Sequence, residues 1–256
     1  MALRDTKKEL VFVSVGSALD MHGPNTSILY RGDKVVLMDC GYAVPPKFCT
    51  AYPDPHLLDA IYLSHQHADH SFGLPALLAW MKAMGRTRSL RVMHGPQADE
   101  WIRTLLDVGY PGSFAPELCF PIEFHALQPE RENRWDTTVF KVARSQHKVP
   151  NWSLRIDEGT LSIAYSGDGV PTDETVALFQ GVTHLVHECS WSRKLKEGHA
   201  DATSLMAQAR HWSVDYMHLV HVQQKHKDDV LARAMAFDGK ICVTVPSAGK
   251  VISLDD

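Results

Sequence analysis

The sequence predicts an α/β protein in which two mixed β-sheets pack face to face between outer helices, a four-layer αββα sandwich. Short apolar segments typical of strands alternate with amphipathic helices along the whole chain. Strand pairs of the hairpin type dominate each half, and the helices are interspersed among them. Two such sheets bury their apolar faces best against each other, which leaves the helices outside.

The predicted strands are rich in Val, Ile, Leu and Tyr and are bounded by Gly, Pro, Asp and Asn. Glu158-Gly159 splits two of them into a hairpin. The eleven predicted strands are Leu10–Val15, Thr26–Tyr30, Lys34–Asp39, Ala60–Ser64, Arg91–His94, Thr138–Arg144, Ser153–Asp157, Thr160–Tyr165, His184–His187, Tyr216–Val220 and Lys240–Val243.

Apolar residues at three- and four-residue spacing predict five helices. Gly85 follows the first of these helices, where a C-terminal cap is expected. The helices are Gly73–Met84, Gln97–Leu106, Asp173–Leu178, Ser204–Trp212 and Lys227–Ala236.

Composition limits the possible functions. The net charge of −4 and the absence of a Lys/Arg run argue against stable binding of duplex nucleic acid. Five cysteines without a CxxC pair suit free thiols in a reducing compartment. The first residues lack an apolar signal region and no apolar stretch is long enough to span a membrane, so we expect a soluble, cytoplasmic protein.

The segment His65-Gln66-His67-Ala68-Asp69-His70 follows an apolar strand and precedes a helix. Alternate residues of an extended chain point the same way, so His65 and His67 can face one metal ion together. The turn into the helix lets Asp69 and His70 point at a second, adjacent position. Imidazole and carboxylate ligands suit Zn²⁺, with Mn²⁺ and Fe²⁺ as alternatives.

Six residues cannot complete two metal sites, so further ligands must come from distant loops. Three candidates each follow an apolar strand: His147, Asp168 and His221. Asp168 lies between Gly167 and Gly169, which allow close backbone approach.

This set of motifs resembles the metallo-β-lactamase superfamily, whose signature is HxHxDH. The later ligand motifs match in order, and the resemblance covers essentially the whole chain as a single hydrolase domain, residues 1–256. It implies that His65, His67 and His147 hold one ion, that Asp69, His70 and His221 hold the other, and that Asp168 bridges the two. It also suggests a homodimer.

Within the superfamily, the chain resembles the ribonuclease Z and cyclic-phosphodiesterase branch. The segments His147–Ile156, His187–Ser190 and Gly198–Thr203 carry this likeness. Enzymes of the branch that process tRNA usually carry a long arm between the motifs of His147 and Asp168. Here a predicted hairpin fills the gap, which argues against pre-tRNA cleavage.

The resemblance implies a phosphodiesterase that attacks a small-molecule or short single-stranded phosphodiester with a hydroxide shared by two divalent ions. Asp69 would accept a hydrogen bond from the attacking water. His199 would protonate the leaving alkoxide or bind a phosphate oxygen, and Glu188 would orient His199. Asp39 would support a ligand histidine from behind.

Two alternatives stay open on the sequence alone. The same metal core supports hydrolysis of a lactone, thioester or sulfate ester. A metal-binding sensor or scaffold without catalysis is the third possibility.

Overall fold

The computed structural model describes residues 7–194 and 197–255. Its fourteen strands are β1 Glu9–Ser14, β2 Ser27–Arg31, β3 Val35–Met38, β4 Ala60–Leu63, β5 Leu90–His94, β6 Ile122–Ala126, β7 Asn133–Trp135, β8 Thr138–Arg144, β9 Trp152–Glu158, β10 Leu161–Tyr165, β11 His184–Glu188, β12 Tyr216–Val220, β13 Cys242–Thr244 and β14 Val251–Ser253.

The seven α-helices of the described residues are α1 Val44–Ala51, α2 Ala68–Ser71, α3 Leu74–Ala83, α4 Asp99–Gly109, α5 Asp173–Phe179, α6 Ala202–Ala209 and α7 Lys227–Met235. A short 3₁₀ turn, Gln224–His226, leads into α7. Within the described ranges, no helix combines the length and the apolar character needed to cross a membrane.

The strands form two seven-stranded sheets, with orders β14-β1-β2-β3-β4-β5-β6 and β13-β12-β11-β10-β9-β8-β7. Each sheet is mixed. Strands β3 to β6 are parallel in the first sheet, β10 to β13 are parallel in the second, and the other pairs are antiparallel. The prediction of two mixed sheets flanked by helices is confirmed.

Three apolar layers hold the sandwich together. The middle layer lies between the sheets and includes Phe12, Tyr62 and Phe140. One outer layer packs α1, α3 and α4 on the first sheet, and the other packs α5, α6 and α7 on the second. Central strands such as β3 and β4 are buried along their whole length, as expected for parallel strands covered on both faces.

Three strands, β6, β7 and β14, and two helices, α1 and α2, were not predicted from the sequence. Strands β6, β7 and β14 are short and only partly buried, so their apolar signal is weak. Helix α1 was missed because of Pro45 and Pro46, but proline is tolerated in the first turn of a helix. Helix α6 begins two residues before the predicted start, because Asp201 accepts a hydrogen bond from the Ser204 amide as its N-cap.

The predicted hairpin between His147 and Asp168 is confirmed. Strands β9 and β10 pair antiparallel, with Glu158 opposite Leu161, and fill this part of the chain. The chain between these two predicted ligands is therefore a β-hairpin.

Candidate metal centre

The predicted metal ligands meet where strand ends of the two sheets face each other. His65 follows β4 in the first sheet, while His147, Asp168 and His221 follow β8, β10 and β12 in the second. Strands β8, β10 and β12 run in the same direction, so their carboxyl ends share one edge. Asp69 and His70 lie on the single turn of α2.

The first cluster consists of His65, His67, His147 and Asp168, whose ligand atoms lie within 4.8 Å of one another. Nδ1 of His67 lies 2.9 Å from Nε2 of His65 and 3.2 Å from Nε2 of His147. Oδ2 of Asp168 lies 3.9 Å and 4.0 Å from the same two Nε2 atoms. Four lone pairs therefore converge on one point.

The second cluster consists of Asp69, His70, Asp168 and His221, all buried. Nε2 of His70 lies 3.3 Å from Oδ2 of Asp69 and 3.4 Å from Oδ1 of Asp168. Nε2 of His221 lies 3.2 Å from the same Asp69 oxygen. Asp168 thus presents Oδ2 to the first cluster and Oδ1 to the second, which is the arrangement of a bridging carboxylate.

Two buried atoms test whether the centre fits a metal ion. Nε2 of His70 and Oδ1 of Asp168 face each other, and no residue in the described part of the chain satisfies either by a hydrogen bond. Unsatisfied buried polar atoms are costly, and a cation between them removes that cost. Imidazole nitrogens and carboxylate oxygens are donors that suit a divalent ion. The residues present therefore fit the predicted metal.

Hydrogen bonds behind the ligands fix which histidine nitrogen faces the centre. His147 Nδ1 donates to the Gly198 carbonyl over 2.5 Å, and His70 Nδ1 donates to Oδ2 of Asp39 over 2.6 Å. In both rings the Nε2 lone pair is left for the centre. Such partners behind a ligand orient the ring and raise its basicity. The expectation that Asp39 supports a ligand histidine matches this contact.

Two serines that were not predicted from the sequence orient two other ligand histidines in the same way. The Ser64 hydroxyl donates to Asp39 over 2.7 Å and lies 3.0 Å from His65 Nδ1. The Ser190 hydroxyl donates to Glu188 over 3.1 Å and lies 3.2 Å from His221 Nδ1. Each hydroxyl has one proton, already given to a carboxylate, so each accepts a hydrogen bond from its histidine.

Glu188 lies at the end of β11 and is buried. Oε1 accepts hydrogen bonds from the amides of Gly169 and Ala200 and from Nδ1 of His199, each over 2.9–3.0 Å. Oε2 accepts from the amide and hydroxyl of Ser190. Burial raises the pKa of this carboxyl, but the hydrogen bond with His199 and the neighbouring His199 and His221 charges together outweigh burial, so the pKa is lowered. Glu188 therefore fixes the loop of Asp168, the loop of His199 and His199 itself.

His199 lies at the open side of the two clusters. Its Nδ1 is 3.7 Å from Oδ2 of Asp168, and its side chain is 23% exposed. Burial lowers the pKa of His199, but the hydrogen bond and charge of Glu188 together with the charge of Asp168 outweigh burial, so the pKa is raised. By contrast, burial holds the pKa of His65, His67 and His147 below its ordinary value, which keeps their lone pairs available.

Local backbone geometry brings these elements close together. Asp39 and His221 have φ angles of 61° and 60°, an uncommon conformation for residues other than glycine. A Cβ at Gly41 would lie 2.0 Å from the Asp69 carbonyl oxygen, so only glycine lets the chain after β3 approach α2. Gly167 and Gly169 also have positive φ, in keeping with the tight approach predicted around Asp168.

The structure brings all nine predicted site residues together. His22 is exposed in its loop. All five cysteines are free, as expected. Cys189 packs in the apolar layer beneath α6 rather than facing the centre.

Two ligand clusters that share one carboxylate, set between two facing mixed sheets, define a divalent-metal centre of the metallo-β-lactamase fold. The crystal structure of the metallo-beta-lactamase fold protein YhfI from Bacillus subtilis is similar over 96% of this chain and 99% of that one. Its TM-score is 0.81 and the two sequences are 19% identical. This likeness shows the fold.

Two curated relatives place the chain in the ribonuclease Z-like branch. It is 28% identical over 176 residues to the ribonuclease Z of Mycobacterium sp. (strain KMS), a match that covers 64% of this chain and 61% of the relative. It is 24% identical over 253 residues to the human zinc phosphodiesterase ELAC protein 2, covering 87% of this chain and 31% of the relative. The chain thus spans less than two thirds of the length of either relative.

The family model described as Anti-Pycsar protein Apyc1 matches residues 8–239, and the chain belongs to that family. The resemblance to the metallo-β-lactamase superfamily and to its ribonuclease Z-like branch is confirmed.

Proposed function

We propose that this protein is a metal-dependent phosphodiesterase that uses two divalent ions, most readily zinc, on a small or single-stranded substrate. One observation carries the proposal: Nδ1 of His199 lies 3.7 Å from the carboxylate shared by both ligand clusters, and buried Glu188 holds it there. A group that can protonate a leaving oxygen therefore lies beside the shared carboxylate. The names of the zinc phosphodiesterase and ribonuclease Z relatives support the same reaction class.

His65, His67 and His147 would hold one ion, Asp69, His70 and His221 the other, and Asp168 would join them. When bound, two ions lower the pKa of a water molecule and bind the oxygens of a phosphodiester. Asp69 has a further role here: its pKa is held well below the usual range despite burial, because His221 and His70 hydrogen-bond to it. It is therefore an ionised acceptor that can orient a water molecule.

His199 would supply the proton that the leaving alkoxide needs. Hydrogen bonding to Glu188 favours its protonated form, and its partial exposure leaves it accessible to substrate. Ser190 and Glu188 both contact Nδ1 of the ring, so Nε2 would transfer the proton.

The hairpin in place of an arm and the net charge of −4 support a substrate smaller than folded tRNA. They favour a small phosphodiester, such as a cyclic nucleotide or cyclic sugar phosphate, or a short single-stranded RNA end.

Purified protein loaded with Zn²⁺ or Mn²⁺ tests the reaction class on bis(p-nitrophenyl) phosphate and on a homoserine lactone. We expect hydrolysis of the phosphodiester, and loss of that activity after chelation. Activity on the lactone alone would replace the proposal with the ester-hydrolase alternative. Failure of metal-replete protein on a broad panel of esters would favour a metal-binding protein without catalysis.

A further inference from the structure

A second cavity, of about 780 Å³, opens at the end of the sandwich opposite the metal centre. His184 and Tyr216 line it from the first residues of β11 and β12, whereas Glu188 and His221 lie at the other ends of these strands. Residues from both sheets line the far side of the cavity: Thr244 of β13, and Lys250, which precedes β14. A volume of this size is typical of a small-molecule site.

Three ring side chains form an ordered platform in this cavity. The rings of Tyr216 and His218 lie in parallel planes, 1° apart, with centroids separated by 6.5 Å. The His184 ring stacks on both, at 4.8 Å from Tyr216 and 5.3 Å from His218, and is tilted by 12° from each. Tyr216 remains 43% exposed, so part of its ring is free to contact a ligand.

The two imidazoles are unusual on a face that is mostly apolar in its middle. His184 and His218 share the inner side of the second sheet with core residues such as Val186 and Val220, and both are buried. Burial of a polar ring is costly unless its nitrogens find partners. Here Nδ1 of His218 lies 2.8 Å from the Thr244 hydroxyl, and its Nε2 lies 3.0 Å from Nδ1 of His184.

This chain of hydrogen bonds ends at the cavity. Nε2 of His184 has no hydrogen-bond partner among residues 7–194 and 197–255, and it is not among their fully buried unsatisfied atoms. Depending on which way the protons in these hydrogen bonds point, Nε2 of His184 presents either a lone pair or an N–H to a ligand in the cavity. Burial lowers the pKa of both imidazoles, so the pair is neutral near pH 7.

Charge limits the class of ligand. Lys250 is a cation on the wall, and none of the described wall residues is Asp or Glu, although the chain as a whole has a net charge of −4. Hydroxyl groups of Thr160, Thr183 and Ser253 provide further donors on the wall. The wall therefore disfavours a cation and suits an acidic group attached to a flat ring.

We propose that this cavity binds a small aromatic anion of nucleotide size, with its ring on Tyr216, a ring heteroatom at Nε2 of His184 and its acidic group at Lys250. Strand β12 links this site to the metal centre, because His218 and His221 are three positions apart, roughly 10 Å of extended chain. The inference stands independently of the proposed hydrolysis, since it uses none of the metal ligands.

The test uses full-length protein from which metal has been removed, so that a phosphate cannot bind to an ion. Calorimetric titration with uridine 5′-monophosphate, uridine and inorganic phosphate separates the ring from the anion. We expect the nucleotide to bind at least tenfold more tightly than either fragment, since stacking and charge each contribute. Binding of phosphate alone, or of no probe at millimolar concentration, would overturn the proposal.

Variants locate the binding. Tyr216→Ala should weaken nucleotide binding by roughly tenfold or more, while Tyr216→Phe should retain it, because stacking needs only the ring. Tyr110→Ala is the matched control, since Tyr110 is also 43% exposed and lies on a different part of the surface. Lys250→Ala should lower the affinity for the nucleotide to that for uridine. Lys225→Ala, at an exposed lysine elsewhere, should leave the affinity for the nucleotide unchanged. Equal affinities in Tyr216→Ala and the wild type would place the ligand elsewhere.

Discussion

Asp39 and His70 are joined by a hydrogen bond of 2.6 Å between buried atoms, Oδ2 of the carboxylate and Nδ1 of the ring. The same oxygen accepts hydrogen bonds from the hydroxyls of Ser64 and Tyr165, each over 2.7 Å. Tyr165 is on β10 of the opposite sheet, so Asp39 connects the ligand His70 to the strand that precedes Asp168.

Loss of the Asp39 charge should therefore weaken metal binding without removing a ligand. Asn tolerates the positive φ at this position, so Asp39→Asn keeps the backbone while it removes the acceptor charge. We expect metal affinity to fall about 10- to 100-fold, measured by competition with a chromophoric chelator. Asp136→Asn is the matched control, since Asp136 also has positive φ but is exposed. Equal affinities in the two variants would contradict the role of Asp39.

Asp168→Ala should lower the metal content below that of the wild type, because it removes one oxygen from each ligand cluster at once. Elemental analysis of purified protein after dialysis measures this directly. The control is Asp173→Ala, at the exposed start of α5. Retention of two ions per chain in Asp168→Ala would refute the bridging assignment.

His199→Ala should keep its metal ions and lose turnover. Removal of a positioned proton donor typically costs about 10²- to 10⁴-fold in rate. The loss should be largest for alkyl phosphodiesters, whose leaving groups need a proton, and small for p-nitrophenyl esters. Steady-state kinetics on both substrate types, with exposed His211→Ala as the control, separate the two cases. An unchanged rate on the alkyl substrate would exclude His199 from the reaction.

Glu188→Gln should move the pH profile as well as the rate. Because His199 must be protonated to donate, activity is present below its pKa and is lost as the pH rises through that value. Glu188 raises this pKa, so loss of its charge should shift the alkaline limb of kcat/KM to lower pH. Glu174→Gln on the surface of α5 is the control. A lower rate without a shift in the alkaline limb of the kcat/KM profile would mean that Glu188 only holds the loops in place.

His218 gives the fold an acid-sensitive element apart from the ligands. Burial and the neighbouring His184 lower the pKa of His218 to about 3, whereas the unfolded value is about 6.5. The unfolded chain therefore binds one more proton between these values, so this stability is complete above about pH 6.5 and is lost as the pH falls towards 3.

Both proteins are compared after chelation of metal. On acidification, the free energy of unfolding of the wild type should fall more steeply than that of His218→Gln, by up to about 1.4 kcal/mol per pH unit. Urea denaturation across this pH range measures both slopes, and the metal ligands contribute equally to each protein. Parallel curves would show that His218 does not control the acid limb.

Local patterns in the sequence were sufficient for the fold class and for the candidate ligands. The strands are continuous apolar runs because parallel strands are buried on both faces. The ligands follow these strands because the carboxyl ends of parallel strands lie at the same edge of a sheet. The HxHxDH run lies within a few residues, so its spacing is visible without a structure. The weak edge strands β6, β7 and β14 were not predicted, since half-exposed strands carry little apolar signal. The expectations of a single domain, a homodimer and a cytoplasmic location stay predictions.

Asp39 was predicted as a support for a ligand histidine, but the other groups behind the ligands are visible only in the tertiary structure. No sequence pattern marks Ser64 or Ser190. Each hydroxyl donates its proton to a carboxylate, and therefore accepts a hydrogen bond from a ligand histidine. Tyr165 reaches Asp39 across 126 positions of the chain, and no local pattern encodes such a contact. The stacked rings of His184, Tyr216 and His218 were likewise visible only once β11 and β12 paired in register. Local periodicity determines elements, whereas contacts between distant elements depend on how the two sheets pack.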